Sequence, residues 1–377
     1  MQFLLLPFSW LYGLVTDCRN YLYDSEIWET TSFSKPIINV GNLTVGGTGK
    51  SPHVEYLIRL LKDKYQVATL SRGYGRKSKG FIHADANANA KNIGDEPLQF
   101  YQKFKHEISV NVGENRVEAL QKIFAQNPKT DVVILDDAFQ HRPVKPSLNL
   151  LLVDYSRPID KDYPFPAGRL RERRHGAKRA DAVIVTKCPD LPIDLQSAVK
   201  VSLEPYLRGF EKKQSQYLTR INFPKVLNFR EVRSPFTTSV KAPPIFFTKI
   251  LYGKPQNCRS DIKNGDFKKV LLLSGIANPK PFEEYAKATF EVIEHLIYKD
   301  HHDFSEKDLE EITTKIPDDL TAILMTEKDM VKFKPLLNHA LLVNIPLYYL
   351  PIEIGFLEDS MKKDFDELIF AQFEKSI

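Results

Sequence analysis

The sequence predicts an α/β protein: a doubly wound, mostly parallel sheet followed by a second, smaller α/β unit. Three observations carry that expectation. From residue 37 onward, short β-branched and apolar runs alternate with stretches of helical spacing. A glycine-rich turn at 46–49 joins the first such run to the first helical stretch. A second strand–helix series begins near residue 270, beyond a basic stretch with no period.

The elements follow in order. Residues 37–40 form a short β-branched strand, and 53–64 carry apolar side chains at helical spacing. Residues 66–71 (QVATLS) return to a strand pattern and 113–126 to a helical one. Residues 132–135 are apolar and end on Asp136 and Asp137. Residues 148–154 (LNLLLVD) and 182–186 (AVIVT) are continuous apolar runs, the pattern of strands buried on both faces. The second series places strands at 270–273 and 322–325 and helices at 281–289 and 305–315. Between the two, residues 206–244 carry eight Lys or Arg against Glu211 and Glu231, and read as a linker or inserted loop. The expected organisation is an N-terminal segment over 1–34, a main domain over 35–205, the basic insertion over 206–244 and a C-terminal α/β domain over 245–377.

Composition bounds the function. The 377 residues are enough for two cores. A net charge of +5 is too small to argue for nucleic acid, and none is expected as a partner. Cys18, Cys188 and Cys258 are far apart, with no zinc-ligand spacing and no disulfide framework, which suits a reducing compartment. The N-terminus is the anomaly. Residues 3–16 (FLLLPFSWLYGLVT) have no charge, yet 14 residues are too few to span a bilayer. The segment lacks a basic start and a small-residue cleavage site. Trp10, Tyr12, Tyr21 and Tyr23 give it the character of a membrane–water boundary, so it is expected to lie on a bilayer rather than cross it. The competing expectation is a helix packed on the core.

The stretch NVGNLTVGGTGKSP (39–52) bears on chemistry. The phosphate-loop pattern G-x-x-x-x-G-K-[ST] is met at Gly49, Lys50 and Ser51, but its first glycine position holds Thr44. Gly46 and Gly47 supply the missing freedom. Glycines let backbone N–H groups converge on an anion without Cβ obstruction. The helix that follows points its positive end at the same place. Residues 44–51 (Thr44, Val45, Gly46, Gly47, Thr48, Gly49, Lys50, Ser51) are therefore the expected nucleotide-phosphate site, with Lys50 on the outer phosphates and Ser51 on Mg²⁺. The expected fold is P-loop NTPase-like. Asp136 or Asp137, delivered by an apolar strand, is the expected further metal carboxylate.

These residues also carry a resemblance. NVGNLTVGGTGKSP, SRGYGRKSKG (71–80), GDEP (94–97), DDAFQHR (136–142), PAGRLRE (166–172) and SGIANP (274–279) together resemble the tetraacyldisaccharide 4'-kinase family of lipid A biosynthesis. The similarity covers residues 37–188 and 245–333, six motifs in the family's order. It implies a two-domain fold with the site in the cleft between domains. It implies ATP and Mg²⁺ as cofactors and a lipid-linked disaccharide 1-phosphate as acceptor. It also implies peripheral attachment to the cytoplasmic face of the bacterial inner membrane. No obligate protein partner is inferred.

The resemblance assigns Asp95 of GDEP as the base that accepts the 4'-hydroxyl proton, with His301 of KDHHDFS (299–305) as its partner. His302 beside it is the weaker candidate. It places Glu172 near the metal. The residues themselves add an acceptor-facing set. Arg72 and Tyr74 follow the second strand, Glu96 adjoins the base, and Arg116 opens a helix. Gln140 and His141 follow the strand-end acids. Arg171, in a run of arginines, suits bidentate contact with a phosphate. A rival reading is a nucleotide-switched membrane-binding ATPase with no lipid acceptor. The stretch TKCPD (186–190) lacks the asparagine and spacing of a guanine-reading motif.

Overall fold

The computed structural model describes residues 2–207, 242–259, 267–318 and 320–374. Most of the expected basic insertion, residues 208–241, lies outside the described residues.

The first sheet is built round β1 (Ile37–Asn42). On one side β1 pairs in parallel with β5 (Val132–Asp136), after which come β2 (Val67–Ser71) and β4 (Ser109–Val112). On the other lie β6 (Leu148–Asp154), β7 (Ala182–Thr186) and β8 (Ile245–Tyr252), all parallel. Antiparallel edge strands close it: β3 (Ile82–His83) beside β4, and β14 (Ile352–Phe356) beside β8. The side chains alternate as the pleat requires. Leu150 and Leu152 face one layer, Leu151 and Val153 the other. The first layer holds α2 (Lys50–Leu61), α4 (Asp95–Phe104) and α10 (Asp359–Phe370), which bury Val54, Ile58, Phe100, Phe365 and Ile369. The opposite layer holds α5 (Arg116–Gln126), burying Leu120 and Ile123, and α6 (Ile193–Leu207), burying Leu203 and Leu207. A short α3 (Ala90–Ile93), capped by Asn89, leads into α4 through Gly94.

The second sheet runs β11 (Glu291–Ile297), β10 (Lys269–Ser274), β12 (Thr321–Thr326), β13 (Leu347–Leu350) and β9 (Gln256–Asn257), parallel except at β9. Helix α7 (Lys280–Thr289) buries Phe282 and Ala286 on one face. Helices α8 (Glu306–Thr314) and α9 (Glu327–Phe333) bury Leu309, Ile312 and Phe333 on the other.

The division of the chain differs from the expected one at both ends of the second unit. Strand β8, placed by sequence with the C-terminal block, extends the first sheet beyond β7. After β13 the chain comes back, adding β14 to the first sheet and α10 to its helical layer. Burying Phe365, Leu368 and Ile369 contributes about 1.5–3 kcal/mol each, enough to fix α10 there. Periodicity tells a strand from a helix but not which of two sheets a strand joins, which is why the sequence could not place β8.

The N-terminal helix α1 (Leu6–Asp24) is amphipathic in an inverted sense. Its inward stripe is Ser9, Gly13 and Asn20, all buried. Ser9 Oγ accepts from the Ala167 N–H at 2.8 Å, and Tyr12 donates its hydroxyl to the Arg171 carbonyl at 2.8 Å. A Cβ on Gly13 would stand 2.6 Å from Arg173 Nε, so a larger residue there would have to displace the Arg173 side chain. Phe8, Trp10, Leu11, Leu14 and Val15 point outward, each more than half exposed. Among the described residues no helix is long and apolar enough to cross a membrane.

Candidate active site

Parallel pairing gathers the chemistry at one edge. Strands β1, β5, β2 and β4 all end on the same side, so the loops that follow them converge in the crevice where the strand order reverses. The register sets Val40 opposite Asp136 and Leu70 opposite Leu135.

The glycine loop leaves β1 and turns into α2 at Gly49, whose φ of +84° favours glycine. Lys50 opens the helix, three residues earlier than periodicity suggested. Neighbouring side chains hold the loop open. Asn42 Nδ2 donates to Thr48 Oγ1 at 2.8 Å, and Thr186 Oγ1 donates to the Thr48 carbonyl at 2.8 Å. Lys187 donates to the Gly47 carbonyl and pairs with Asp154 at 2.8 Å. His53 bridges Gly49 O at 2.7 Å and Thr248 Oγ1 at 3.1 Å, and burial pushes it down to about 4, so it stays neutral. Thr44 pairs with Leu170, and the Val45 N–H donates to the Arg169 carbonyl at 2.8 Å. Val45 is therefore not a phosphate donor, contrary to expectation. The N–H groups of Gly46, Gly47, Thr48 and Gly49 donate to no protein group among the described residues.

Beside this loop Lys50 Nζ lies 3.7 Å from Asp137, whose two oxygens accept from Arg171 at 2.8 and 3.1 Å. Burial opposes its ionisation, but Lys50 and Arg171 outweigh it and hold the Asp137 carboxyl below the usual range. Asp136 behaves oppositely. It is 2 % exposed, its Oδ1 has no partner, and burial followed by the charges of Glu96 and Asp137 raises it well above the usual range. Gln140 links the Asn42 carbonyl, at 2.9 Å, to Glu172 and Arg171. His141 is pushed down to about 4 by burial and by Arg116, Arg19 and Arg72, so a neutral imidazole stands among three guanidiniums. Arg116 is itself buried, donating to the carbonyls of Gly113 and Glu114.

A second expected role is corrected. Glu172 does not face the metal position. Its oxygens accept from Arg179 at 2.6 and 2.9 Å, from Asn20 at 2.7 Å and from Gln140 at 3.1 Å. Four donors saturate the carboxylate, which ties α1 to the main sheet. Arg179, seven residues downstream, makes this clamp.

The second unit contributes the other wall. Gly94, with φ +90°, packs against Gly73 and the Tyr74 carbonyl and sets Asp95 at the start of α4. GDEP thus opens a ten-residue helix, which the sequence reading had not placed. The chain after β11 brings His301 to the same point, in the left-handed region at φ +62°. His301 Nδ1 is 2.9 Å from Asp95 Oδ2. The Tyr74 ring lies 5.6 Å from the imidazole. Burial opposes ionisation of Asp95, but the His301 hydrogen bond and the Lys332 charge outweigh it and hold the carboxyl below its ordinary range. His302 instead pairs with Asp308 at 3.2 Å and stacks on Tyr298, a structural role.

Sequence reasoning missed Arg19, Arg179, Lys187 and Lys332. Only Lys332 left a signal. It follows Lys328 by four positions, which puts both on one face of α9.

A glycine loop at a helix start, strand-end acids beside its lysine and a carboxylate–histidine pair opposite define a phosphotransferase of the P-loop class. The sequence profile described as Tetraacyldisaccharide-1-P 4'-kinase (LpxK) matches residues 1–370. A Tetraacyldisaccharide 4'-kinase of Flavobacterium johnsoniae is 42% identical over 375 residues, covering 99% of this chain and 98% of that one. One of Parabacteroides distasonis is 40% identical over 388 residues, covering 99% and 95%. A crystal structure described as an "apo" form LpxK from Aquifex aeolicus in complex with ATP superposes with TM-score 0.70 at 28% identity, covering 99% of both chains. The chain belongs to the tetraacyldisaccharide-1-P 4'-kinase family, ATP-dependent kinases that phosphorylate a lipid A precursor at its 4' position.

Proposed function

We propose that this cleft transfers the γ-phosphate of ATP to the 4'-hydroxyl of a tetraacylated glucosamine disaccharide 1-phosphate, with Asp95 as the base. The observation that carries the reading is the 2.9 Å contact between Asp95 and His301, made across the two units. The free N–H groups of residues 46–49 and Lys50 take the outer phosphates. Ser51 and Asp136 are the residues fitted to Mg²⁺. Both offer hard oxygens, and Asp136 Oδ1 is buried without a partner. Among the described residues no three acidic, His or Cys side chains form a ligand cluster. Ser51 and Asp136 would hold the ion with the rest of its shell left to phosphate oxygens and water, as Mg²⁺ prefers. When bound, the ion neutralises charge on the transferring group. Arg171 braces Asp137. Tyr74, beside His301, is assigned to the acceptor side with Arg72, Glu96 and His141, whereas Arg116 and Gln140 are engaged within the protein and brace the site. The 4'-hydroxyl gives its proton to Asp95 as its oxygen bonds to the γ-phosphorus, and the bond to the β-phosphate oxygen breaks, leaving ADP.

The acceptor is a lipid, and α1 supports attachment at a membrane surface. Its outward face of Phe8, Trp10, Leu11, Leu14 and Val15 is the apolar patch that an interfacial helix lays on a bilayer. The inner-membrane surface is accordingly proposed as its partner.

The test uses ATP labelled in its terminal phosphate with the disaccharide 1-phosphate. Label should move onto the lipid on thin-layer separation. Label released only as free phosphate would favour a nucleotide-switched ATPase instead. Asp95→Asn should lower kcat about 10²–10⁴-fold while nucleotide affinity holds. Near-normal turnover would remove Asp95 from the mechanism.

A further inference from the structure

We infer that Lys332 is a positioning residue for the proposed base: reaching across from the second unit, it fixes Asp95 by one oxygen and leaves the other for the acceptor hydroxyl. The inference rests on the reading of Asp95 given above.

Lys332 lies on α9, and its side chain is 1 % exposed. Its Nζ stands 3.2 Å from Asp95 Oδ2. That is the same oxygen that faces His301 Nδ1 at 2.9 Å. A hydrogen-bonding imidazole and a cation thus converge on Oδ2, Lys332 acting by charge because its Nζ makes no hydrogen bond among the described residues. Oδ1 has no hydrogen-bond partner among the described residues. A buried ammonium with no other ion-pair partner among the described residues serves little else: an aliphatic side chain would fill the same space without the desolvation cost. Both partners come from the second unit, while Asp95 comes from the first. The base is therefore oriented only while the two units are apposed, and the acceptor meets one open oxygen rather than a freely turning carboxylate.

The other charged groups facing this point are consistent with the assignment. Lys328 lies 3.3 Å from His301 Nε2 and 3.4 Å from Asp300. It thus neutralises Asp300 rather than Asp95. The charge of Glu96 acts on Asp136, and Asp329 is engaged by the Gly275 N–H and Thr326 Oγ1. Tyr74 packs on His301 without reaching the carboxylate. Lys332 is the ammonium in direct contact with Asp95. Its charge favours the ionised base, so it should extend activity toward acid pH.

The experiment compares kcat, KM for ATP and the pH–rate profile of the full chain with those of Lys332→Gln, Lys332→Met and Lys332→Arg. The neutral variants should lose about tenfold in kcat, with KM for ATP unchanged. Their acid limb should move to higher pH as Asp95 loses a cation. Lys332→Arg should return the limb toward its original position, because charge is kept. Two results overturn the inference: a neutral variant with unaltered kcat and limb, or one whose kcat falls while the limb stays in place, which is loss of packing alone. Failure of the underlying reading looks different, because there Asp95→Asn itself retains turnover.

Discussion

Asp136 is the residue whose chemistry is most exposed to test. Its carboxyl is raised, chiefly by burial and then by Glu96 and Asp137. A raised acid stabilises the fold while neutral and loses that contribution as pH rises through its folded value. Asp136→Asn should therefore unfold at a higher temperature than the parent without ligand near pH 8, with the gain shrinking toward pH 4. The same variant should lose turnover and any thermal shift on adding Mg²⁺ with nucleotide. Scanning fluorimetry at several pH values decides it, and a lower melting point at pH 8 refutes it. At this scale much of the proposed site was legible. Lys50 sits in the glycine loop that spacing reveals, whereas Asp137, expected on the metal, and Arg171, expected on a phosphate, pair with each other. Glu172 was misread because a sequence shows a carboxylate but not the guanidinium that folds back onto it. Val45 was misread for a related reason, since no pattern reveals that its N–H is already spent on Arg169.

Among the elements, α1 shows how composition can be right about character and blind to orientation. An uncharged stretch said apolar. The stripe of Ser9, Gly13 and Asn20, spaced four and seven apart, decides which side faces the protein. With polar anchors inside, the apolar side is left outward. Replacing Trp10 and Leu14 together by Glu should weaken co-sedimentation with vesicles of phosphatidylethanolamine and phosphatidylglycerol by at least about tenfold, given about 1.5–3 kcal/mol per apolar side chain. The rate on detergent-dispersed acceptor should hold. Undiminished vesicle binding would mean that α1 is not the anchor. Strand β8 and helix α4 mark the other limit of legibility. Both are real periodic segments, but one joins the unexpected sheet and the other begins at a motif whose GDEP signature also reads as a turn.

Across the whole molecule, the two units are joined by a buried charge relay as well as by chain. Lys103 of α4 lies 2.7 Å from Glu55 of α2 and also contacts Glu327 of α9. Gln99 adds a 2.8 Å bond to Glu55. The phosphate-loop helix, the helix bearing Asp95 and the second unit thus share one cation. Lys103→Met would leave Glu327 without its cation while Arg59 still pairs with Glu55 at 3.2 Å, at a cost of up to about 3 kcal/mol near neutral pH. Glu327 is already raised, by burial first and then by Glu55, so it is the one to take a proton. Urea midpoints should accordingly show the variant recovering toward the parent as pH falls to about 5. A deficit that stays constant with pH would mean that only packing was lost.

The return of β14 and α10 to the first sheet has a consequence for how the protein comes into being. Tyr56, nearly two turns along from Lys50, donates its hydroxyl to Asp366 at 2.5 Å, and Phe356 and Phe365 pack against its ring. The helix that would grip nucleotide is thus walled in by residues some 310 positions further along the chain. A nascent chain stopped at Leu350 already carries the whole glycine loop and both halves of the Asp95–His301 pair. It still lacks the outer edge of the large sheet and the side wall of the Lys50 helix.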